Sequence, residues 1–355
     1  MYLSLQAGRG IAALLVVIFH LGSIMGAEKY FDIPALLIPY ALGGTGVHFF
    51  FILSGFVIYS AHCDDFFQPR KYLPYVAKRL IRIYPIYWII FLSVYCAAMF
   101  VPGFEHRAAY DWHVILKSLL LFPQNQAVVG GTGAPVIEVA WTLQVEMVFY
   151  FLFGLFILRR TVTFFAVLTL VLIYINRDQL SDDFLIRFIF EEQALYLFLI
   201  GVGASWLCSK RTLSPIFAKI LLGGGCVLLF FVAFDWIAGL DIHDSGDKLY
   251  AEGAALGAIV VGLITLEQNK VVIGGQKILQ LIGAASYSLY LSHYHMILLF
   301  TKFAVAIGAP EWGAMGVMVT IIVIAGACLG TSVVLYIFFE KPLTAILRRK
   351  VLHKI

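Results

Sequence analysis

The stretch LQAGRGIAALLVVIFHLG, residues 5–22, is an apolar run that contains two ionisable side chains, Arg9 and His20. Its length approaches the roughly 20 apolar residues that a membrane-spanning helix needs. A charged side chain inside a bilayer is costly, so ionisable residues within such a helix are functional candidates by default. The run therefore predicts a membrane helix and raises the question of what Arg9 and His20 do in it.

The composition of the whole chain supports a membrane setting. Of 355 residues, 61% are hydrophobic and 13% are charged, and the mean hydropathy is +0.92. A soluble domain has about 25% charged residues. The five cysteines are scattered and contain no CxxC pair, so they indicate neither a disulfide framework nor a redox compartment. The composition predicts an all-α integral membrane protein with several spans.

Ten segments are apolar enough to be read as spans. They cover residues 8–26, 42–61, 84–102, 139–158, 161–176, 193–208, 218–237, 250–267, 283–305 and 313–338. We expect one membrane domain over residues 1–340, a short basic cytoplasmic tail over 341–355, and no appended soluble domain. Most lysines and arginines then fall on the side that holds both termini, which the positive-inside rule assigns to the cytoplasm.

Arg9 and His20 share one face of the first predicted span. A helix turns 100° per residue, so eleven residues end about 20° past three full turns, and the two side chains lie about 16 Å apart along the axis. Such a stripe can line a channel with the cation at its mouth. Two simpler readings stay open: Arg9 as an anchor at the cytoplasmic interface, and His20 as a buried histidine bonded to a neighbouring helix.

Three further ionisable residues are expected near the depth of His20. With alternating span directions, His48, Glu146 and His293 all come within a few residues of that level, which predicts a polar chamber. A proton relay in a transporter is one alternative and a metal site is another. His293 and His295 lie two residues apart and point to different sides of a helix, and no HExxH motif occurs, so we expect no metal.

A second cationic group precedes the third predicted span. Arg79 and Arg82 in KRLIRIYPIYW are three residues apart and share a helix face, as an anion clamp requires. Pro85 follows at a position where the entry of a helix tolerates proline. An ordinary positive collar that binds lipid phosphates explains the same residues equally well.

Taken together, these motifs resemble the acyltransferase 3 family of integral membrane O-acyltransferases. The resemblance is carried by Arg9 and His20 and by four further motifs in order along the chain: FFFILSGF (49–56), RLIRIYP (79–85), WTLQVE (141–146) and SYSLYLSH (286–293). One departure is His48, where many members have an acidic residue. Many relatives also carry an outer hydrolase-like domain, which is not expected here.

The resemblance implies an O-acyltransferase in the bacterial inner membrane. Its members move an acyl group, usually acetyl from cytoplasmic acetyl-CoA, to a sugar hydroxyl of a polysaccharide or lipid-linked glycan, and the motif around WTLQVE is most similar to exopolysaccharide or lipopolysaccharide O-acetyltransferases. Arg9, Arg79 and Arg82 would hold coenzyme A, and His20 would act as general base with Glu146 orienting it. Alternatively, His20 accepts the acyl group itself. His293 is the third catalytic residue that the resemblance implies, and it, or the hydroxyls of Ser54 and Tyr150, would help to hold the thioester oxyanion. Additional chamber candidates are His48, Ser54, Trp141, Tyr150 and Tyr290.

A different function class stays open from the residues alone. A transporter or flippase for a glycolipid or a proton-coupled solute would also have many spans with buried ionisable groups. Such proteins often contain inverted repeats with broken helices at corresponding positions, and none is visible here. The expected partners are acyl-CoA, a glycan or lipid-linked saccharide and the lipid bilayer, and no nucleic acid is expected.

Overall fold

The structure is a computed structural model that describes residues 2–33, 40–100, 111–176, 179, 188, 194–210, 213–238 and 245–353. Every regular element in these ranges is helical, and no strand occurs within them. The predicted all-α class is therefore confirmed for the described part of the chain.

The α-helices of the described residues are numbered in chain order. They are α1 Leu3–Met25, α2 Tyr40–His62, α3 Tyr72–Phe100, α4 Trp112–Leu119, α5 Gln126–Val129, α6 Trp141–Ile157, α7 Arg160–Ile175, α8 Ala194–Lys210, α9 Pro215–Ala238, α10 Ser245–Gln268, α11 Lys277–Ala306, α12 Gly313–Leu335 and α13 Lys341–Leu352. A π-helical turn, Tyr336–Glu340, joins α12 to α13.

All ten predicted spans fall on these helices, but fewer than ten of the helices are both long enough and apolar enough to cross a membrane. Seven helical segments of the described residues are long and apolar enough. Two apolar helices are shorter, Arg160–Ile175 and Leu195–Lys210. Helix α11 is long but rich in serine, tyrosine and histidine. The chain is thus a multi-pass helical protein, while the count of ten and the cytoplasmic position of the termini stay predictions.

The helix that contains the third predicted span begins before that span. Helix α3 starts at Tyr72 rather than near residue 84, so Pro85 lies inside the helix and not at its entry. An interior proline removes one backbone hydrogen bond of the helix. The apolar run starts later than the helix because the charged residues Lys78, Arg79 and Arg82 lower the hydropathy of its first turns.

The chain divides into two compact units. The first comprises residues 1–60 and 197–337, and the second comprises residues 61–196 and 338–355. The first unit therefore contains α1, most of α2, nearly all of α8, and α9–α12, whereas α3–α7 and α13 belong to the second. The expected division into a membrane domain over 1–340 and a tail over 341–355 stays a prediction.

Helices α1 and α11 of the first unit pack tightly and run parallel. A Cβ atom at Gly283 would overlap the carbonyl oxygen of Gln6, and one at Gly10 would lie 3.0 Å from the backbone nitrogen of Gly283. Further along both helices, His20 contacts His293 with the same sequence offset of 273. Small residues allow two helix backbones to approach this closely. Parallel packing is expected of a first and a ninth span in an alternating series.

Helices α2 and α10 run alongside α1 in the opposite direction. Gly43 of α2 lies against Phe19, and Gly46 lies against the carbonyl of Ala12. At the other end of α1, the carboxylate of Glu267 accepts hydrogen bonds of 2.8 Å from the backbone N–H groups of Leu3 and Ser4. The last turn of α10 therefore satisfies amides that the first turn of α1 leaves without helical partners.

The second unit is held together by aromatic donors on α3. The hydroxyl of Tyr75 donates to the carbonyl of Tyr150 on α6 at 2.8 Å. Three further side chains of α3 donate to backbone carbonyls at the end of α4: Tyr87 to Ser118 at 2.6 Å, Trp88 to Leu119 at 2.9 Å and Tyr84 to Leu120 at 2.7 Å.

The α1–α11 contact predicts a large effect of a single methyl group. We expect Gly283→Ala to lower the free energy of unfolding by about 2 kcal/mol, because the new Cβ overlaps the carbonyl of Gln6. Thermal unfolding of the detergent-solubilised protein, followed by tryptophan fluorescence, measures this loss. The matched control is Gly326→Ala on α12, where nothing lies within 4 Å of the added atom. Equal melting temperatures for the two variants would contradict the packing described.

Candidate active site

Two of the predicted site residues meet in the first unit. Nε2 of His293 lies 3.1 Å from Nδ1 of His20. His293 is completely buried on α11, and His20 is partly buried on α1. The parallel packing of the two helices brings these imidazoles together across 273 residues of sequence.

The backbone fixes which nitrogen of each ring carries the proton. Nδ1 of His20 lies 3.0 Å from the carbonyl of Val16, and Nδ1 of His293 lies 3.1 Å from the carbonyl of Leu289. A carbonyl only accepts, so both Nδ1 atoms must carry hydrogen. The Nδ1–H of His20 is then shared between the Val16 carbonyl and Nε2 of His293. We infer that neutral His20 presents Nε2 as an unprotonated base.

The histidine pair is enclosed by aromatic and apolar side chains. The ring of Tyr294 stands edge-on to His20 with centroids 5.3 Å apart, and the ring of Tyr290 lies 5.8 Å from His293. Tyr290 also contacts Phe50 of α2 at 5.8 Å. Apolar core residues pack behind the pair, among them Val17, Leu289 and Cys328. Electrostatic interactions and hydrogen bonds are stronger in such an environment than in water.

His48 has an acidic partner that the sequence did not reveal. Its Nδ1 lies 3.0 Å from a carboxylate oxygen of Glu252 on α10. The Glu252 side chain is 7% exposed, and that of His48 is 25% exposed. A second buried pair of the first unit joins Lys248 of α10 to Asp235 of α9 at 3.1 Å.

Arg9 and Ser54 also belong to the first unit. Both are partly buried, on α1 and α2, and both make contacts within the protein. Gly8 and Gly10, the neighbours of Arg9, pack against Phe49 of α2 and Gly283 of α11. The first unit thus contains six of the predicted residues: Arg9, His20, His48, Ser54, Tyr290 and His293.

Arg79 of the second unit lies among aromatic and polar groups. Its guanidinium is 5.9 Å from the ring centroid of Tyr75 and 5.7 Å from that of Tyr150. Nη2 lies 3.5 Å from Nε2 of His62, and Nδ1 of His62 is 2.7 Å from a carboxylate oxygen of Asp65. A proton on Nδ1 donates to the carboxylate and leaves Nε2 to accept from the guanidinium. His62 therefore links Arg79 to Asp65.

Arg82, the other arm of the predicted clamp, has a carboxylate partner. Its Nη1 donates to Glu340 at 2.6 Å. The Glu340 side chain is 3% exposed and lies in the π-helical turn, whereas that of Arg82 is 29% exposed. Charge-assisted hydrogen bonds of this length are strong. An anion that binds Arg82 must therefore share its guanidinium with Glu340 or displace it.

Glu146 and two other predicted residues lie on α6 of the second unit. Glu146 accepts a hydrogen bond from the hydroxyl of Tyr150, one turn further along the same helix. Trp141 begins α6. Within the first unit, Nδ1 of His20, the nitrogen that an orienting carboxylate would bind, already faces Val16 and His293. The orienting role of Glu146 stays a prediction.

Several polar partners were missed from the sequence. Glu252 lies inside the predicted span 250–267, and its carboxylate is the signal that could have identified it. Asp235 lies inside the predicted span 218–237, close to its end, and Glu340 and Lys248 lie just beyond predicted spans, where ionisable residues are common. His62 follows the predicted second span directly. No cluster of metal-binding side chains occurs among the described residues.

Comparisons with known proteins show a family and a relative of this chain. Residues 2–337 match the family model for an acyltransferase domain, Acyl_transf_3. The exopolysaccharide production protein ExoZ of Rhizobium meliloti (strain 1021) is 28% identical over 313 residues, which cover 86% of this chain and 90% of that protein. No solved structure gives a significant match.

Removing one partner of the Arg82–Glu340 pair should cost more stability than removing both. We expect Glu340→Ala to destabilise the protein by about 2 kcal/mol, between the values for exposed and buried pairs, because Arg82 loses its partner while partly buried. The double variant Arg82→Met, Glu340→Leu should recover most of this loss, since no charge is then left unpaired. Thermal unfolding in detergent measures both. A double variant less stable than Glu340→Ala would contradict the account.

Proposed function

The chain belongs to the acyltransferase 3 family, and we propose that it moves an acetyl group from cytoplasmic acetyl-CoA to a sugar hydroxyl of an exopolysaccharide or of its lipid-linked precursor. Family membership rests on the match over residues 2–337. The exopolysaccharide acceptor is supported by the similarity to ExoZ. The 3.1 Å contact between His20 and His293 carries the proposal for the reacting group.

In the proposed reaction, His20 acts as general base. Its Nε2 takes the proton of the sugar hydroxyl while the oxygen attacks the thioester carbonyl. The carbon–sulfur bond then breaks, and the imidazolium returns the proton to the leaving thiolate, so that the products are an ester and free coenzyme A. A neutral imidazole with a free Nε2 suits both steps.

His293 serves as a positioning residue for His20. Its Nε2 and the Val16 carbonyl both face the Nδ1–H of His20. This arrangement holds the ring of His20 in one tautomer and stabilises the positive charge that His20 gains on taking a proton. The aspartate of a catalytic triad does the same for its histidine. Because the Nδ1–H of His293 is bonded to Leu289, its own tautomer is fixed in turn.

Three arginines are proposed to bind the donor. Coenzyme A carries several phosphates, which guanidinium groups bind in a bidentate manner. Arg79 is held by aromatic rings and His62, which reduces the side-chain entropy lost on binding a phosphate. Arg9 is proposed to help hold the phosphate-rich head of coenzyme A, while the slim pantetheine arm runs along the helix stripe that Arg9 shares with His20. Arg82 would bind in competition with Glu340.

The other predicted residues receive supporting roles in this proposal. We assign Glu146 to the stabilisation of positive charge during transfer. Hydroxyl groups of Ser54, Tyr150 and Tyr290 are candidates for contacts with the thioester oxyanion, and Trp141 is assigned to the chamber wall. We further propose ten spans, cytoplasmic termini and a bacterial inner-membrane location, which the distribution of lysine and arginine supports.

The first test follows radiolabelled acetyl-CoA in inverted membrane vesicles. We expect wild type to transfer label to the polysaccharide or lipid-linked glycan fraction and His20→Ala to lose about 100-fold or more of the rate, since general acid–base catalysis contributes at least that factor. Arg9→Lys keeps the charge but loses the planar fork, so we expect a rise of about tenfold in the KM for acetyl-CoA. Expression levels are matched by immunoblot.

Three outcomes would each count against a part of this proposal. If His20→Ala transfers label as fast as wild type, His20 is a structural histidine. If wild-type vesicles consume no acetyl-CoA in the presence of glycan acceptors, the chain is not the proposed acetyltransferase. Normal transfer by Arg9→Lys would make Arg9 a generic positive anchor.

A second test separates positioning by His293 from simple packing. We expect His293→Phe to lower kcat about tenfold with an unchanged KM for acetyl-CoA, because the acceptor for the Nδ1–H of His20 is lost. His293→Gln places an amide oxygen close to the position of Nε2, so it should restore most of kcat. Equal kcat values for the two variants, at equal thermal stability, would show that His293 only fills space.

A further inference from the structure

Glu252 is a buried carboxylate that the proposed mechanism does not use. Its side chain is 7% exposed, and one oxygen lies 3.0 Å from Nδ1 of His48. The other oxygen, Oε1, is fully buried and has no hydrogen-bond partner in the described part of the chain. A buried acceptor without a donor is costly. Such an atom indicates a place where an external donor completes the site.

The pair lies at the depth of the proposed base. Gly43 of α2 packs against Phe19 of the antiparallel α1. Side chains lean toward the N-terminus of their own helix, so the rings of His48 and His20 lean toward each other along the helix axes. The two rings therefore lie within about one turn of a common level along α1. Glu267 caps Leu3 of α1, which brings Glu252, fifteen residues earlier on the antiparallel α10, level with about residue 18 of α1.

The nearest buried cation does not supply a donor for Oε1 of Glu252. Lys248, one turn before Glu252, lies 3.1 Å from Asp235, so this cation is matched by the Asp235 carboxylate. Glu252 instead faces an imidazole that is a quarter exposed. His48 is thus the accessible side of the pair.

We propose that Glu252 and His48 form a subsite for the sugar acceptor, in which Oε1 of Glu252 accepts a hydrogen bond from a hydroxyl next to the one that is acylated. This inference rests on the proposed function. Sugar hydroxyls are hydrogen-bond donors, and a carboxylate accepts them in strong, charge-assisted bonds. The phosphates of the donor carry negative charge and are repelled by Glu252, so the acceptor is the substrate that fits. His48 orients the carboxylate and lines the approach.

The test measures the acceptor and the donor separately. Full-length protein in nanodiscs is titrated with soluble oligosaccharide fragments of the exopolysaccharide of its host, and binding is followed by calorimetry. We expect Glu252→Gln to weaken this binding about tenfold, because the charge-assisted bond is lost. Transfer assays should show a matching rise in the acceptor KM, with the KM for acetyl-CoA unchanged. Glu252→Asp keeps the charge but withdraws the oxygen, and should weaken binding as well.

The control removes the other buried pair of α10, which joins it to α9. The double variant Asp235→Leu, Lys248→Met should bind the oligosaccharide as wild type does. Equal binding by wild type, Glu252→Gln and Glu252→Asp would overturn the subsite, as would weakened binding in the control or an oligosaccharide that wild type does not bind. These binding results do not depend on transfer. Wild type that binds the oligosaccharide but transfers no acetyl group would refute the proposed function and leave the subsite standing.

Discussion

The close parallel contact between α1 and α11 determines the arrangement of the first unit. Glycine at positions 10 and 283 lets the two backbones approach, and the register set there places His20 against His293 further along. Because both helices keep this register, the histidine contact follows from packing that begins about 15 Å away. A residue with a large side chain at either glycine would separate the two imidazoles without touching them.

The apolar surroundings give each polar contact its importance. In a chain with 61% hydrophobic residues, a buried ionisable group needs a partner to be stable, and three pairs of the described residues illustrate this. His48 faces Glu252, Lys248 faces Asp235, and Arg82 faces Glu340. The His20–His293 pair differs from these, because it contains no carboxylate and its protons are fixed by backbone carbonyls. That difference leaves one nitrogen of His20 available for chemistry.

The sequence predicted the fold class and much of the candidate site, because both depend on local patterns. Apolar runs identified the helices, and the rotation of a helix placed Arg9 and His20 on one stripe. Partners distant in the sequence could not be predicted, since they depend on which helices pack together. Arg82 and Glu340 are 258 residues apart, and no local pattern in RLIRIYP indicates that they form a pair. The same applies to Glu252, a carboxylate in a predicted span whose contact with His48 became apparent only from the packing of α2 and α10.

The central claim is that His20 and His293 act as one unit in acyl transfer. A double-mutant cycle on the single-turnover rate of acetyl transfer, with His20→Ala, His293→Ala and the double variant, tests this claim most directly. If His293 works only through His20, the double variant will be no slower than His20→Ala alone. If the two losses multiply, the histidines contribute independently, and the assignment of His293 as the residue that positions His20 is wrong.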